Sequence, residues 1–116
     1  MASDPLRSTD SGIALIGASA DDAGEVLRAN HQLAELLETP LTMLVGAQIC
    51  RYIHSGNRGA AHEAHLHLMS DPGTLYETKA RLVTASRRVV PVHAFASAIT
   101  TRTGTAIVLR VLPLND

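Results

Sequence analysis

Apolar residues first recur in this chain without helical spacing, then at intervals of three and four, and finally at every second position. The run GIALIGAS (12–19) and the stretch EVLRAN (25–30) flank the turn-rich ADDAGE, and together they predict a hairpin of two strands. Asn30 then stands as an N-cap before HQLAELLE, whose Leu33 and Leu37 share one stripe until Pro40 ends the helix. PLTMLVG and AQICRYIHS each span only one or two turns and are broken by Gly46 and Gly56, so short consecutive helices are expected. A longer helix is predicted from about Asn57 to Ser70, stopped by SDPG.

After that break the period becomes two. TLYETKARLVT puts Tyr76, Thr78, Ala80 and Leu82 on one face and Glu77, Lys79 and Arg81 on the other, the signature of a half-exposed strand. RRVVPVHAFASAIT alternates less cleanly, with Pro91 tolerable at an edge or a non-donating position, and GTAIVLRVL follows a turn at Gly104. Two strands, several short helices, one longer helix and a three-strand antiparallel meander, without internal repeats, predict an α+β fold: one five-stranded antiparallel sheet with helices on one face.

Residues 1–11 are small, polar and interrupted by Pro5, which reads as a flexible lead-in or linker before a single domain at 12–116. A chain of 116 residues buries roughly 65% of the surface its unfolded form exposes, enough for an unstapled core. Ten basic residues against eleven acidic ones, with no basic run, give no footprint for nucleic acid or a membrane surface. The lone Cys50 cannot form an intrachain disulfide, and neither a signal core nor a twenty-residue apolar span is present, so a cytoplasmic setting is expected. The composition is 46% hydrophobic yet holds no Trp, one Phe and two Tyr, so Ala, Val, Leu and Ile must fill the interior.

AHEAHLHLM (61–69) places His62, His65 and His67 on the longer helix. Zinc held by side chains needs three or four converging ligands; a His-x-x-His pair supplies two, and HEAH falls one residue short of the HExxH spacing. No metal is therefore assigned. Nor does a catalytic constellation appear. Asp21 and Asp22 sit where turn chemistry uses acids, and Cys50 and His54 lie one helical turn apart, but the cysteine is expected inside as an inert thiol and His54 at a turn. The reading is non-enzymatic.

The ordered set GIALIG, EVLRANHQLAELLETPLTMLVGAQ and ICRYIHSGNR resembles the front half of a PAS domain, with Asn30, Gly46, Ile53, His54, Asn57 and Arg58 at the matching positions. The likeness runs from Gly12 to Leu112, with two departures: TASRR replaces the usual Asp-Gly hairpin, and VLPLND replaces the closing Asp-Ile-Thr that couples many relatives to an output helix. The resemblance implies a sensory and dimerising module of a larger signalling protein, with any ligand held between the long helix and the inner sheet face. In haem-binding relatives the proximal histidine falls where this chain has Ala61; His62 is one residue off and His65 one turn further along. CRYIH is similar to the flavin stretch of light-sensing relatives, but Cys50 lies four residues after Gly46 instead of three, and Thr78, Ala80, Val92 and Ala94 stand where ring-binding amides belong. No cofactor is required, and a haem-based gas or redox sensor is kept only as a third alternative.

On a helix Ala61, Ala64, His65 and Leu68 share the inward third of the circumference, Glu63 and His67 lie opposite, and His62 falls at the boundary. If Val90, Val92, Ala94 and Ala96 point inward from their strand, methyl groups meet across the domain. A void of ~150 Å³ at ~24 cal/mol per Å³ costs roughly 3 to 4 kcal/mol, a large share of a stability of about 5 to 15 kcal/mol. Either the helix collapses and Leu68, Met69 and Leu82 fill the gap, or a small apolar or amphipathic ligand occupies it. Tyr52, Ala61, Ala64, His65, Leu68, Thr78, Val92 and Ala94 are the expected contacts, with His65, Thr78 and Tyr52 supplying the polar ones. The alternative is a ligand-free interaction module with a filled core, a homodimer through an outer sheet face that carries His93 and Phe95. A buried His65 would make folding sensitive to its protonation.

Overall fold

Asn30 shows how local chemistry sets the architecture. Its side-chain oxygen caps the first helix by accepting the Leu33 N–H at 3.0 Å, and it also accepts the Ile13 N–H at 2.9 Å from the first strand. Its amide nitrogen donates to the Ser11 carbonyl at 3.2 Å, so one side chain fixes helix to strand. The computed structural model describes residues 11–19, 23–102 and 104–114. The lead-in up to Asp10, the expected turn acids Asp21 and Asp22, and the closing Asn115 and Asp116 lie outside them.

The elements are β1 (Gly12–Gly17), β2 (Val26–Ala29), α1 (His31–Leu37), α2 (Leu41–Leu44), a 3-10 turn (Ile49–Tyr52), α3 (Ser55–Ser70), β3 (Leu75–Val83), β4 (Val89–Thr101) and β5 (Gly104–Pro113). The five strands form one antiparallel sheet in the order β2-β1-β5-β4-β3. This is the expected α+β arrangement. Gly12 permits the closest approach of strand to helix, for a Cβ there would stand 3.0 Å from the Leu33 Cα.

Several boundaries differ from the sequence reading, each for a local reason. Ser11 is part of the folded domain: it is buried and its hydroxyl accepts the Arg110 Nε–H at 3.0 Å. Helix α1 ends at Leu37 because Glu38 turns left-handed at φ 57, two residues before Pro40. AQICRYIHS yields one 3-10 turn in place of an α-helix. Gly56 does not break α3, which begins at Ser55, because the His54 Nδ1 accepts the Gly56 N–H at 3.0 Å and caps the first turn. Pro91 lies just beyond the last β4–β5 pair, Val92 with Pro113, and its carbonyl takes the Leu114 N–H at 3.0 Å, so the missing donor falls where that ladder ends.

The segment 46–54 crosses from one sheet edge to the other. Gly46, at φ 95, donates to the Val26 carbonyl at 2.7 Å and Val26 donates to the Ala47 carbonyl at 2.9 Å, which ties it to β2. At its far end Ile53 bridges to Leu82, and the His54 N–H reaches the Arg81 carbonyl at 3.0 Å on β3. Both edges are thereby partly covered, which protects them from pairing with other chains. Arg58 locks the segment by donating from Nε to the Cys50 and Ile53 carbonyls, each at 3.1 Å.

The core is not evenly filled. Leu33, Leu37 and Leu44 from α1 and α2 are fully buried together with Val26, Val92 and Val111. The sixteen-residue α3 contributes only Leu68 to that set.

Candidate functional site

Under α3 lies a cavity of about 160 Å³. Its roof is the α3 stripe Ala61, Ala64, His65 and Leu68, and its floor is the inner face of β3, β4 and β5 with Ile16 of β1 at one side. The register makes that floor shallow: Ala94 pairs with Thr78 on one side and Val111 on the other, and Ala96 pairs with Tyr76 and Leu109. Alanine thus occupies the middle of the sheet, with larger side chains flanking it. Ala60 and Lys79 border the space and are exposed, so it reaches solvent between α3 and β3. The helix does not settle onto the sheet; Met69 stays half-buried, and Leu68 and Leu82 leave the space open.

Seven of the eight expected contacts border this cavity: Ala61, Ala64, His65, Leu68, Thr78, Val92 and Ala94. Tyr52 does not. Its ring is buried on the 3-10 turn and faces a separate cleft. Cys50, expected inside, is exposed. The exposure of Cys50 follows from the turn: a 3-10 turn repeats every three residues, so Ile49 and Tyr52 take the inward side while Cys50 and Arg51 face out, Ile49 bordering the cavity and Tyr52 the other cleft.

Polar groups at the cavity are few. His65 is half-buried and Thr78 donates weakly to the Lys79 carbonyl at 3.3 Å. Asn57 is engaged by Arg81. His62 and His67 are exposed, so the three histidines do not converge, and no group of three or more His, Cys, Asp or Glu among the described residues could hold a metal. Of the two histidines weighed as axial ligands, only His65 borders the space.

The sequence reading missed Ile107, Leu109 and Val111, which complete the floor from β5. The signal was there: Arg110, exposed near the end of GTAIVLRVL, sets its alternate neighbours Val108 and Leu112 outward and Ile107, Leu109 and Val111 inward. On the outer face the Arg110 guanidinium stands 5.7 Å from the Phe95 ring centre, the His93 ring lies 4.4 Å from it, and His93 Nε2 is 2.7 Å from Glu77 Oε2. No helix among the described residues is long and apolar enough to cross a membrane.

No protein-family model and no curated protein matches the sequence. Solved structures do match in shape. The PAS-B domain of Drosophila melanogaster Cycle, solved with ethylene glycol bound, superimposes with a TM-score of 0.77 at 13% identity, covering 89% of this chain and 99% of that one. A PAS domain from Desulfitobacterium hafniense gives 0.77 at 14% identity, covering 95% and 98%. A PAS domain from a two-component sensor histidine kinase gives 0.75 at 14%, covering 94% and 89%. At such identities the likeness is one of architecture, and the architecture of this chain is the PAS fold.

Proposed function

We propose that this domain is the sensory module of a larger cytoplasmic signal-transduction protein, and that a small apolar or amphipathic molecule occupies the cavity beneath α3. The observation that carries the reading is the pairing of a methyl-lined floor at Ala94 and Ala96 with the methyl-lined roof at Ala61 and Ala64, leaving about 160 Å³ unfilled. Because this space opens to solvent between α3 and β3, an apolar occupant would gain by displacing water from its methyl-lined wall. Its wall is almost wholly apolar, with His65 and Thr78 available to fix orientation. A histidine kinase PAS domain and Cycle PAS-B share the fold, which suits a regulatory, non-enzymatic role coupled to a downstream signalling domain. Neither nucleic acid nor a membrane is among the partners proposed.

Native mass spectrometry of freshly purified protein tests this directly. Added small-molecule mass, lost on partial unfolding, is the expected result. Protein at its bare mass that also fails to shift in melting temperature with benzene, a probe that enters dry cavities, would overturn it.

The outer sheet face favours a second, compatible reading: a homodimer built on that face. Ile13, Leu15, Phe95, Val108 and Leu112 all project there, beside the exposed Leu75 and Ile99. Phe95→Glu is expected to convert a dimer to a monomer in light scattering, and a monomeric starting protein would end this reading.

A further inference from the structure

A second concavity, separate from the cavity, lies between the α1–α2 junction, the 3-10 turn and the β3–β4 turn, and measures about 450 Å³. We propose that it binds the phosphoryl group of a small phosphate compound. Two guanidiniums from distant parts of the chain border it: Arg51 on the 3-10 turn and Arg87 on the β3–β4 turn. Neither side chain makes an ion pair or hydrogen bond with any described residue.

Tyr52 supplies the independent observation. It is 7% exposed and borders this cleft, yet its hydroxyl has no hydrogen-bond partner among the described residues. No fully buried side-chain N or O among them lacks a partner, so the hydroxyl of this cleft-bordering residue keeps access to solvent and is an unused donor.

The carboxylate of Glu38 also borders the cleft, but its charge is already answered. One oxygen takes the Ser86 hydroxyl and N–H, and the other lies 2.9 Å from Arg88 Nη2. What is left over is two positive charges and one neutral donor. A phosphate monoester carries a charge of about −1.5 to −2 at neutral pH and three acceptor oxygens, which matches both counts. A carboxylate has one charge and two oxygens, and a single guanidinium satisfies it. The remaining wall, Pro40, Met43, Val83 and Ala85, is apolar and suits an organic body attached to the phosphate.

The test is an amide-resolved NMR titration of the full chain with phenyl phosphate, inorganic phosphate and benzoate in parallel. Saturable shifts at Arg51, Tyr52, Ala85 and Arg87 are expected with the two phosphates. Tighter binding of phenyl phosphate identifies a monoester as the natural source, and equal binding identifies free phosphate. Arg51→Gln with Arg87→Gln, both at exposed positions, is expected to weaken binding by roughly tenfold or more while leaving the amide spectrum folded. Tyr52→Phe, which keeps the buried ring, is expected to weaken it by about threefold to tenfold. Failure to saturate, affinity unchanged in the double-arginine variant, or benzoate binding as tightly as phenyl phosphate would overturn the proposal, whatever occupies the cavity.

Discussion

The side-chain oxygen of Asn57 accepts two hydrogen bonds from Arg81, one from the backbone N–H at 3.1 Å and one from Nε–H at 3.0 Å. The first turn of α3 is thereby moored to the β3 edge beside the cavity that Asn57 helps to line. Asn57→Ala removes both bonds and is expected to destabilise the domain by about 1 to 3 kcal/mol. The urea midpoint reads this out, and an unchanged midpoint would show that the mooring is decorative.

Ala94 lies at the centre of the cavity floor between Thr78 and Val111. Ala94→Leu places three more carbons in the open space, so the variant is expected to fold and to lose any uptake of benzene or of a co-purified molecule. Retained uptake would mean that the occupied space lies elsewhere.

Glu38 connects the end of α1 to the β3–β4 turn. The Ser86 hydroxyl, foremost, and then Thr84, the Ser86 N–H and Arg88 hold its carboxyl below the ordinary value of 4.5, against a smaller opposing effect of desolvation. A lowered folded-state value means that the contribution is fully present above 4.5 and is lost as pH falls through the folded value. The melting temperature of Glu38→Gln is therefore expected to fall less steeply below that pH than that of the parent. Parallel curves would remove Glu38 from the acid response.

At Gly12 a Cβ would stand 2.9 Å from Leu33 Cδ1 and 3.0 Å from its Cα. The side chain can turn aside, but the backbone of a capped helix cannot. Gly12→Ala is expected to cost roughly 1 to 3 kcal/mol as an overpacked contact, seen as a lower thermal midpoint. Wild-type stability would show that α1 can slide on β1.

The sheet was the most legible part of the chain, and β3 shows why. One of its faces is exposed and the other turns toward the core, so Glu77, Lys79 and Arg81 alternate with Tyr76, Thr78 and Ala80 in the letters themselves. The cavity was legible only in part: an interior without Trp and with alanines on facing elements sets methyl opposite methyl, as at Ala64 and Ala94, but the letters did not decide whether the helix would collapse onto the sheet or leave a space. The short region around Cys50 was not. The segment was expected as a short helix with Cys50 inside and Tyr52 at the cavity; it is a 3-10 turn that exposes Cys50, and Tyr52 borders the other cleft. Gly56 read as a break because the cap that overrides it is a histidine, an uncommon choice. The cleft was invisible, since Arg51 and Arg87 meet only through tertiary folding.

Because the hollow beneath α3 is bounded by alanines on rigid elements, its selectivity can be retuned two carbons at a time. Exchanging Ala61, Ala64, Ala94 or Ala96 for valine would trim the space and leave every backbone hydrogen bond in place. Chains that differ from this one by a handful of methyl groups could therefore answer to different molecules while passing the response through an identical frame.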